Sequence, residues 1–292
     1  MSASRPIQVW PYLQERFPLP TYALLTGLYV AGGASVALDV SGMPANPLRI
    51  AAAALVVLLV FFHLRIFDEF KDYARDCLNH PERLVQRGVV TLKDLKRWGA
   101  LALVVEAALS AALGWSALVC WVLVLGFSVL MRLEFFIGGW LEKRPFTYAA
   151  THQPVMLFIS AFIYAAQGLA LHQVLWPALI PHQLAALGGM FSFEVARKLR
   201  APADELEHDY TYTTAHGPRV AALVGGLLLC AAVVAESFLV GWGALVGCLL
   251  AGPFVLFGAR PTRQHARWVN LAVSIALLGL HGVLAAGLVR SS

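Results

Sequence analysis

The sequence FFHLRIFDEFKDYARD, residues 61–76, decides how the chain is interpreted, because it closes an apolar run and continues directly into mixed acids and bases. Asp68, Asp72 and Asp76 are spaced by four residues, so they lie along one face if the apolar helix continues past the membrane surface. Like charges at this spacing repel each other, and we expect a cation to offset the repulsion. Carboxylate oxygens suit Mg²⁺, which commonly binds one or two carboxylates together with phosphate oxygens of a substrate.

An ordinary solvated helix end is the alternative interpretation of the same residues. Lys71 and Arg75 would then neutralise the acids through pairs on the helix surface. The position of the acids argues against this, because the row begins where an apolar span ends. A carboxylate row at the mouth of a helix bundle is a natural place for a metal and an anionic headgroup.

The rest of the chain has the composition of a membrane protein. Of its 292 residues, 59% are hydrophobic and only 13% are charged. Apolar runs of about 20 residues, long enough to cross a hydrocarbon core, recur along almost the whole length. No room remains for a sizeable soluble domain. We therefore predict one integral-membrane domain over residues 1–292, with residues 1–20 as an interfacial N-terminal segment.

The fold class follows from the length of the apolar runs. Backbone groups in lipid must be hydrogen-bonded internally, and unbroken runs of this length favour helices over short alternating strands. We predict an all-α, multi-pass transmembrane bundle of about nine helices with cytoplasmic polar cap loops. The predicted spans are 21–40, 47–67, 95–113, 116–137, 148–171, 175–199, 219–235, 238–259 and 266–289.

Basic residues indicate the orientation of these spans. They concentrate in the loops after the second, fourth, sixth and eighth spans, whereas the opposite loops carry almost nothing basic apart from Arg49. By the positive-inside rule, the N-terminus and the charged loops face the cytoplasm and the C-terminus lies outside. The net charge of +5 therefore needs no nucleic acid to explain it.

The loop after the sixth predicted span also mixes acids and bases. It belongs to the sequence GGMFSFEVARKLRAPADELEHDYTYTTAHG, residues 188–217. Glu194 and Lys198 are four residues apart in it, a spacing that also suits a simple salt bridge on one helix.

Three segments resemble the hallmarks of one family. DEFKDYARD is similar to the NDxxDxxxD motif of the UbiA superfamily of intramembrane prenyltransferases, whose fold has nine helices and whose first acidic motif follows the second helix. Asp72 and Asp76 match, while Asp68 and Glu69 replace the usual Asn and Asp and keep oxygen ligands. PERLVQRG, residues 81–88, is similar to the RPxxxG segment of the family.

The third similar segment is WLEKRPFTYAATHQP, residues 140–154, which resembles the family's loop with a Lys-Arg pair followed by Thr; Lys143, Arg144 and Thr147 match. The largest departure lies in the family's second motif, of the DxxxD kind, where Lys198 replaces the second acid. Either Lys198 contacts a diphosphate directly while Asp204, Glu205 or Asp209 supplies the missing carboxylate, or the site holds one metal instead of two.

The resemblance implies a prenyltransferase that uses Mg²⁺ to move an isoprenoid group from its diphosphate to an aromatic or lipid acceptor. The partners would be a prenyl diphosphate donor, a hydrophobic or aromatic acceptor and membrane lipid. The implied metal ligands are Asp68, Asp72, Asp76, Glu194 and Asp204. The first four are also candidate catalytic residues, together with Lys198. Candidate substrate-binding residues are Lys71, Arg83, Lys143, Arg144, Arg200 and Asp204.

Three other functions stay open at this point. A terpene cyclase or a relative that uses phosphoribosyl diphosphate would keep the same headgroup chemistry. A membrane transporter would instead place its charges at the midplane, next to helices interrupted by Gly or Pro.

Overall fold

The computed structural model describes residues 9–205 and 210–290, and these residues form helices and connecting turns without a strand. The helices are α1 Val9–Arg16, α2 Leu19–Ser41, α3 Pro47–Asn79, α4 Leu92–Leu113, α5 Trp115–Arg132, α6 Gly138–Leu141, α7 Pro145–His152, α8 Val155–Ala166, α9 Ile180–Arg197, α10 Tyr212–Val240, α11 Gly252–Ala259 and α12 Arg263–Arg290. Short 3-10 helices cover Glu134–Phe136, Gln173–Leu175, Pro177–Leu179, Pro202–Asp204 and Trp242–Ala251.

The predicted all-α, multi-pass fold class is confirmed. Within the described part of the chain, six helical segments are long and apolar enough to cross a membrane: α2, α3, α5, α7 with α8, α10 and α12. The other three predicted spans correspond to α4, to α9, and to the 3-10 helix Trp242–Ala251 with α11. Large apolar side chains such as Leu48, Val104 and Leu271 are exposed on the outside of the bundle, as expected for surfaces that face lipid.

Several predicted spans differ from the observed helices in their boundaries, and two of them differ at prolines. The span predicted over 148–171 is divided into α7 and α8, because Pro154 cannot continue the hydrogen-bond ladder of a helix. The span predicted over 175–199 becomes regular only at Ile180, after two 3-10 turns. Both differences arise at prolines.

Helix α3 is long enough to span the membrane and to continue beyond it. Its 33 residues rise about 50 Å, against about 30 Å for a hydrocarbon core. The side chain of Asn46 caps its start by accepting hydrogen bonds from Leu48 N and Arg49 N. The acidic stretch therefore lies on the continuation of a transmembrane helix.

The end of the bundle opposite the acidic stretch is held together by Arg49. Its guanidinium donates to the carbonyl of Ala166, where α8 ends, at 2.8 Å and to that of Leu113, where α4 ends, at 2.7 Å. A cation at helix C-termini is favourable because the terminal carbonyls carry partial negative charge.

The described part of the N-terminal segment is a helix packed on the acidic end of the bundle, and residues 1–8 of that segment lie outside the described residues. Tyr12 and Phe17 are fully buried. Tyr12 belongs to an apolar cluster with Ile66 of α3 and Leu95 of α4. Helix α1 thus covers one side of the α3 extension.

A buried carboxylate joins α3, α4 and α5 deeper in the bundle. Glu106 accepts hydrogen bonds from His63 Nδ1 and Trp121 Nε1, both at 2.9 Å, and both His63 and Glu106 are fully buried. Such partners are what a carboxylate at membrane depth requires. This group is remote from the helix ends and is part of the packing.

Candidate active site

The α3 extension carries its acids on two sides. Glu69 and Asp76 are seven residues apart, nearly two helical turns, so they point the same way. Arg16 of α1 donates to Glu69 at 2.7 Å and lies 3.8 Å from Asp76. Arg65 also pairs with Glu69, at 2.8 Å. Glu69 is fully buried, so these contacts fasten α1 to α3.

Asp76 also fixes the loop that follows α3. Arg83 Nη1 donates to Asp76 Oδ2 at 2.7 Å. Burial lowers the pKa of Arg83, and nearby arginine charges act in the same direction. Asp76 is a predicted metal ligand and Arg83 a predicted diphosphate ligand; the structure pairs the two residues with each other.

Asp68 and Asp72 lie on the other side of α3. Asp68 Oδ1 is 3.2 Å from Lys71 Nζ, and Asp72 Oδ1 is 2.7 Å from Arg75 Nη2. Arg75 also reaches Glu142 at 3.4 Å. Asp68 keeps 45% of its side chain exposed. These two carboxylates are therefore more available to a ligand than Glu69 or Asp76.

The end of α9 supplies the second half of the cluster. Glu194 accepts hydrogen bonds from Arg197 Nε at 2.5 Å and pairs with Lys198 Nζ at 2.9 Å. The charges of Arg197 and Asp68 lie close enough to interact, although the two residues are on different helices. Arg197 was not among the predicted site residues, and its basic side chain within the loop was the only signal that pointed to it.

Tyr148 of α7 joins the two halves. Its hydroxyl is hydrogen-bonded to Lys71 Nζ. Its ring centroid lies 5.1 Å from Lys71 Nζ and 5.5 Å from Lys198 Nζ. The ring of His152 stacks on that of Tyr148, with centroids 4.0 Å apart. Ammonium groups from α3 and from the end of α9 thus both lie beside Tyr148.

The remaining predicted residues do not join this cluster, which comprises Asp68, Lys71, Asp72, Tyr148, Glu194, Arg197 and Lys198. Arg144 lies over the ring of Trp140, 4.3 Å from its centroid, and Lys143 is exposed beside it. Asp204 accepts two hydrogen bonds from Arg263 Nε, at 3.0 and 3.1 Å. These hydrogen bonds from Arg263 hold the pKa of Asp204 below its usual range.

Arg200 and Asp204 belong to a second, more open group between α9 and α12. It surrounds a cavity of about 390 Å³ lined by Arg197, Arg200, Asp204, Arg263 and Arg267. Asp204 is a predicted metal ligand; the structure pairs it with Arg263, 59 residues away in sequence, and places it in this second group and not beside Asp68.

A strained turn borders the cluster. Glu134, Phe135 and Phe136 have φ angles of 48°, 52° and 63°, in the left-handed region that disfavours residues with a Cβ atom. The charges of Lys71 and Asp72 act on Glu134, whose pKa is raised mainly by burial. Backbone strain of this kind is concentrated at functional sites in proteins.

One divalent ion fits the first acidic motif. Asp68 and Asp72 are hard oxygen donors one turn apart, and each has only Oδ1 engaged in an ion pair among the described residues. Within residues 9–205 and 210–290, no group of three or more His, Cys, Asp or Glu side chains is placed to hold a metal. Two carboxylates are nevertheless a usual protein share of a Mg²⁺ site that substrate phosphate oxygens complete.

Comparison with known proteins identifies the fold. No protein-family model matches the chain. No curated protein sequence matches it either. A structure reported for digeranylgeranylglyceryl phosphate synthase in membranes superposes on 93% of this chain and 99% of its own, with a TM-score of 0.61 and 18% identity. The apo structure of a UbiA homologue from Aeropyrum pernix K1 covers 93% of this chain and 97% of its own, with a TM-score of 0.65 and 18% identity.

The chain is thus an integral-membrane bundle of α-helices. More particularly, it has the UbiA fold over nearly its whole length. This confirms the fold that the three similar segments indicated.

Proposed function

We propose that the protein transfers an isoprenoid group from its diphosphate to a hydrophobic or aromatic acceptor inside the membrane. The observation that carries this proposal is the position of the cluster at one end of an apolar bundle. Two carboxylates of the cluster, Asp68 and Asp72, lie there with the ammonium groups of Lys71 and Lys198. A charged headgroup can be held there while its apolar tail stays among the helices, where burial of each CH₂ contributes about 0.8 kcal/mol. The fold shared with the two solved structures supports the same conclusion.

The cations of the cluster would stabilise the leaving group. As the allylic C–O bond breaks, negative charge accumulates on the diphosphate, and fixed cations in a partly buried site lower the energy of that state. Lys71 is well placed for this because its side chain is only 12% exposed and its ammonium is already oriented by Tyr148. Lys198 and Arg197 would approach the headgroup from the α9 side.

Asp68 and Asp72 are the proposed Mg²⁺ ligands. When bound there, Mg²⁺ would neutralise part of the diphosphate charge as a Lewis acid. The aspartates bind a metal only as ionised carboxylates. Asp76, Glu194 and Asp204 have less to offer a metal. Asp76 contacts two arginines, and both carboxylate oxygens of Glu194 and of Asp204 are paired with cations. Asp68 and Asp72 are each paired through Oδ1 alone among the described residues.

The cluster is proposed to face the cytoplasm, together with the N-terminus. This orientation rests on the basic residues at that end of the bundle. It can be tested by labelling Cys77, which is exposed on the α3 extension, with an impermeant thiol reagent in intact cells and in inverted vesicles. We expect Cys77 to be labelled in inverted vesicles alone. Labelling in intact cells would show that the cluster faces the outside.

Turnover of labelled prenyl diphosphates tests the reaction. The purified protein would be incubated with donors of several chain lengths and with candidate aromatic and lipid acceptors, with and without Mg²⁺, while diphosphate release is measured. We expect release that needs Mg²⁺ and falls strongly in Asp72→Asn. Asp39→Asn is the matched control, because Asp39 is exposed at the opposite end of the bundle.

Two results would reject the proposal. One is the absence of turnover with every donor and acceptor. The other is equal release by the wild type and Asp72→Asn, since the carboxylate would then have no part in the reaction.

A further inference from the structure

The α9 half of the cluster holds one carboxylate whose two oxygens are both engaged. Glu194 Oε2 accepts from Arg197 Nε at 2.5 Å, and Oε1 faces Lys198 Nζ at 2.9 Å. The Glu194 side chain is only 12% exposed, whereas that of Asp68 is 45% exposed. A carboxylate with both oxygens in charge-assisted hydrogen bonds has little capacity left for a metal ion.

No second carboxylate joins Glu194 from the described part of the loop after α9. Asp204 is held by Arg263. Glu205 accepts hydrogen bonds from the hydroxyls of Thr211 and Thr213 at the start of α10. Asp209, the remaining acid considered from the sequence, lies outside the described residues. The acids that could have replaced the missing ligand are thus engaged elsewhere in the part of the loop that the structure describes.

The same region carries an excess of positive charge. Glu194 is a single negative charge between two cations, so this turn of α9 has a net charge of one positive unit. Lys198 Nζ and Lys71 Nζ also share the ring of Tyr148, at 5.5 and 5.1 Å from its centroid. A diphosphate bound beside Tyr148 would therefore meet cations from both α3 and α9, and their charges would favour an anion there.

We propose that Lys198 and Arg197 bind diphosphate oxygens directly, so that the site works with one divalent ion, held by Asp68 and Asp72. This inference rests on the proposed function, because it concerns the same headgroup. It separates the two sides of the site: a metal-binding side on α3 and a metal-free, cationic side on α9. Lys198 is 32% exposed, which leaves its flexible side chain free to turn from Glu194 to a phosphate.

Counting bound Mn²⁺ tests this division. Mn²⁺ would replace Mg²⁺ as the spectroscopic probe, with inorganic diphosphate present, and bound ions would be counted by electron paramagnetic resonance on the full chain in lipid nanodiscs. We expect one Mn²⁺ per wild-type chain. Lys198→Asp restores a pair of acids with Glu194, so we expect two. Lys96→Asp makes the same change at an exposed lysine of α4 and should still bind one.

A second measurement does not depend on the folding of Lys198→Asp. Affinity for inorganic diphosphate would be measured by calorimetry in the presence of a chelator, where only the protein cations can contribute. We expect Lys198→Ala to weaken this binding roughly tenfold or more, the effect of losing one charge-assisted hydrogen bond. Lys96→Ala should leave it unchanged.

The outcomes separate this inference from the proposed function. Two Mn²⁺ ions on the wild type, one ion on Lys198→Asp when it is folded, or unchanged diphosphate affinity in Lys198→Ala would overturn the inference and leave prenyl transfer standing. The expected ion counts without turnover of any prenyl diphosphate would reject prenyl transfer alone. Failure of the wild type to bind diphosphate would reject both.

Discussion

Asp68 and Glu69 are neighbours in sequence, but one side chain is half exposed and the other is buried. Substitution of each residue should therefore change a different property of the protein. Glu69 is fully buried and paired with Arg16 and Arg65 at 2.7 and 2.8 Å. Asp68 is half exposed and paired with Lys71 at 3.2 Å. We predict that Glu69→Ala destabilises the fold and that Asp68→Ala chiefly weakens diphosphate binding.

The contacts set the size of each effect. Removal of one partner from a buried ion pair typically costs about 3–5 kcal/mol, because the remaining charge is left without compensation. Glu69 compensates two arginines, so its loss should reach this range. At about 2–4 °C per kcal/mol, the melting temperature would fall by about 6–20 °C. An exposed pair such as Asp68 with Lys71 contributes about 0–1 kcal/mol.

Thermal unfolding in one detergent, followed by intrinsic tryptophan fluorescence, measures the first effect, and calorimetric titration with Mn²⁺ and inorganic diphosphate measures the second. Arg16→Ala is a useful companion variant, because it removes the same contact from α1 and should also lower the melting temperature. Equal melting temperatures for Glu69→Ala and Asp68→Ala would refute the division of the α3 acids into two sides.

Three further predictions concern the stability of the fold. Glu106→Ala should lower the free energy of unfolding by about 3–5 kcal/mol, because His63 and Trp121 would lose a buried partner; a change below 1 kcal/mol on denaturant titration would show that the triad does not stabilise the bundle. Phe136→Gly should raise stability by about 1 kcal/mol, because glycine tolerates the φ of 63° at this exposed position; a lower melting temperature would instead show that the phenyl ring contributes more than the strain removes. Hydrogen bonds from Thr91 hold the pKa of Asp94 below its usual range, so the carboxylate stabilises the start of α4 above the unfolded pKa of about 3.9 and this contribution is lost as pH falls through the lower folded pKa. The difference in melting temperature between the wild type and Asp94→Asn should accordingly shrink as pH falls below about 4, and a constant difference would contradict the assignment.

Local sequence patterns were sufficient to predict the helices and the position of the acidic stretch. The apolar run that ends at Phe67 and the four-residue spacing of Asp68, Asp72 and Asp76 correctly indicated a helix that continues past its apolar part. Both are properties of one helix, which depend on near neighbours in the chain.

The partners of each acid could not be predicted in the same way. Asp76 and Glu69 contact Arg16, which reaches them because Tyr12 and Phe17 pack the N-terminal segment against α3. Asp204 similarly pairs with Arg263 and lies outside the cluster. These contacts join residues 53 to 60 positions apart, and no spacing rule links such positions before the helices are packed.

Lys198 shows both sides of this limit. The departure from the DxxxD pattern was visible in the sequence, and it marked the position as unusual. The sequence left open whether a nearby acid replaces the lost ligand. The contacts of Asp204 and Glu205 favour the answer that neither does, and this is why the ion count is informative.

The central claim is that the cluster on α3, α7 and α9 binds a prenyl diphosphate headgroup. Its most direct test is equilibrium binding of a non-cleavable prenyl diphosphate analogue, with Mg²⁺, to the protein in lipid nanodiscs. We predict saturable binding that weakens about 10- to 150-fold in Lys71→Met, the loss expected for a charge-assisted hydrogen bond of about 1.5–3 kcal/mol, and that is unchanged in Asp39→Asn. Absence of saturable binding, or equal affinity in all three proteins, would contradict the account.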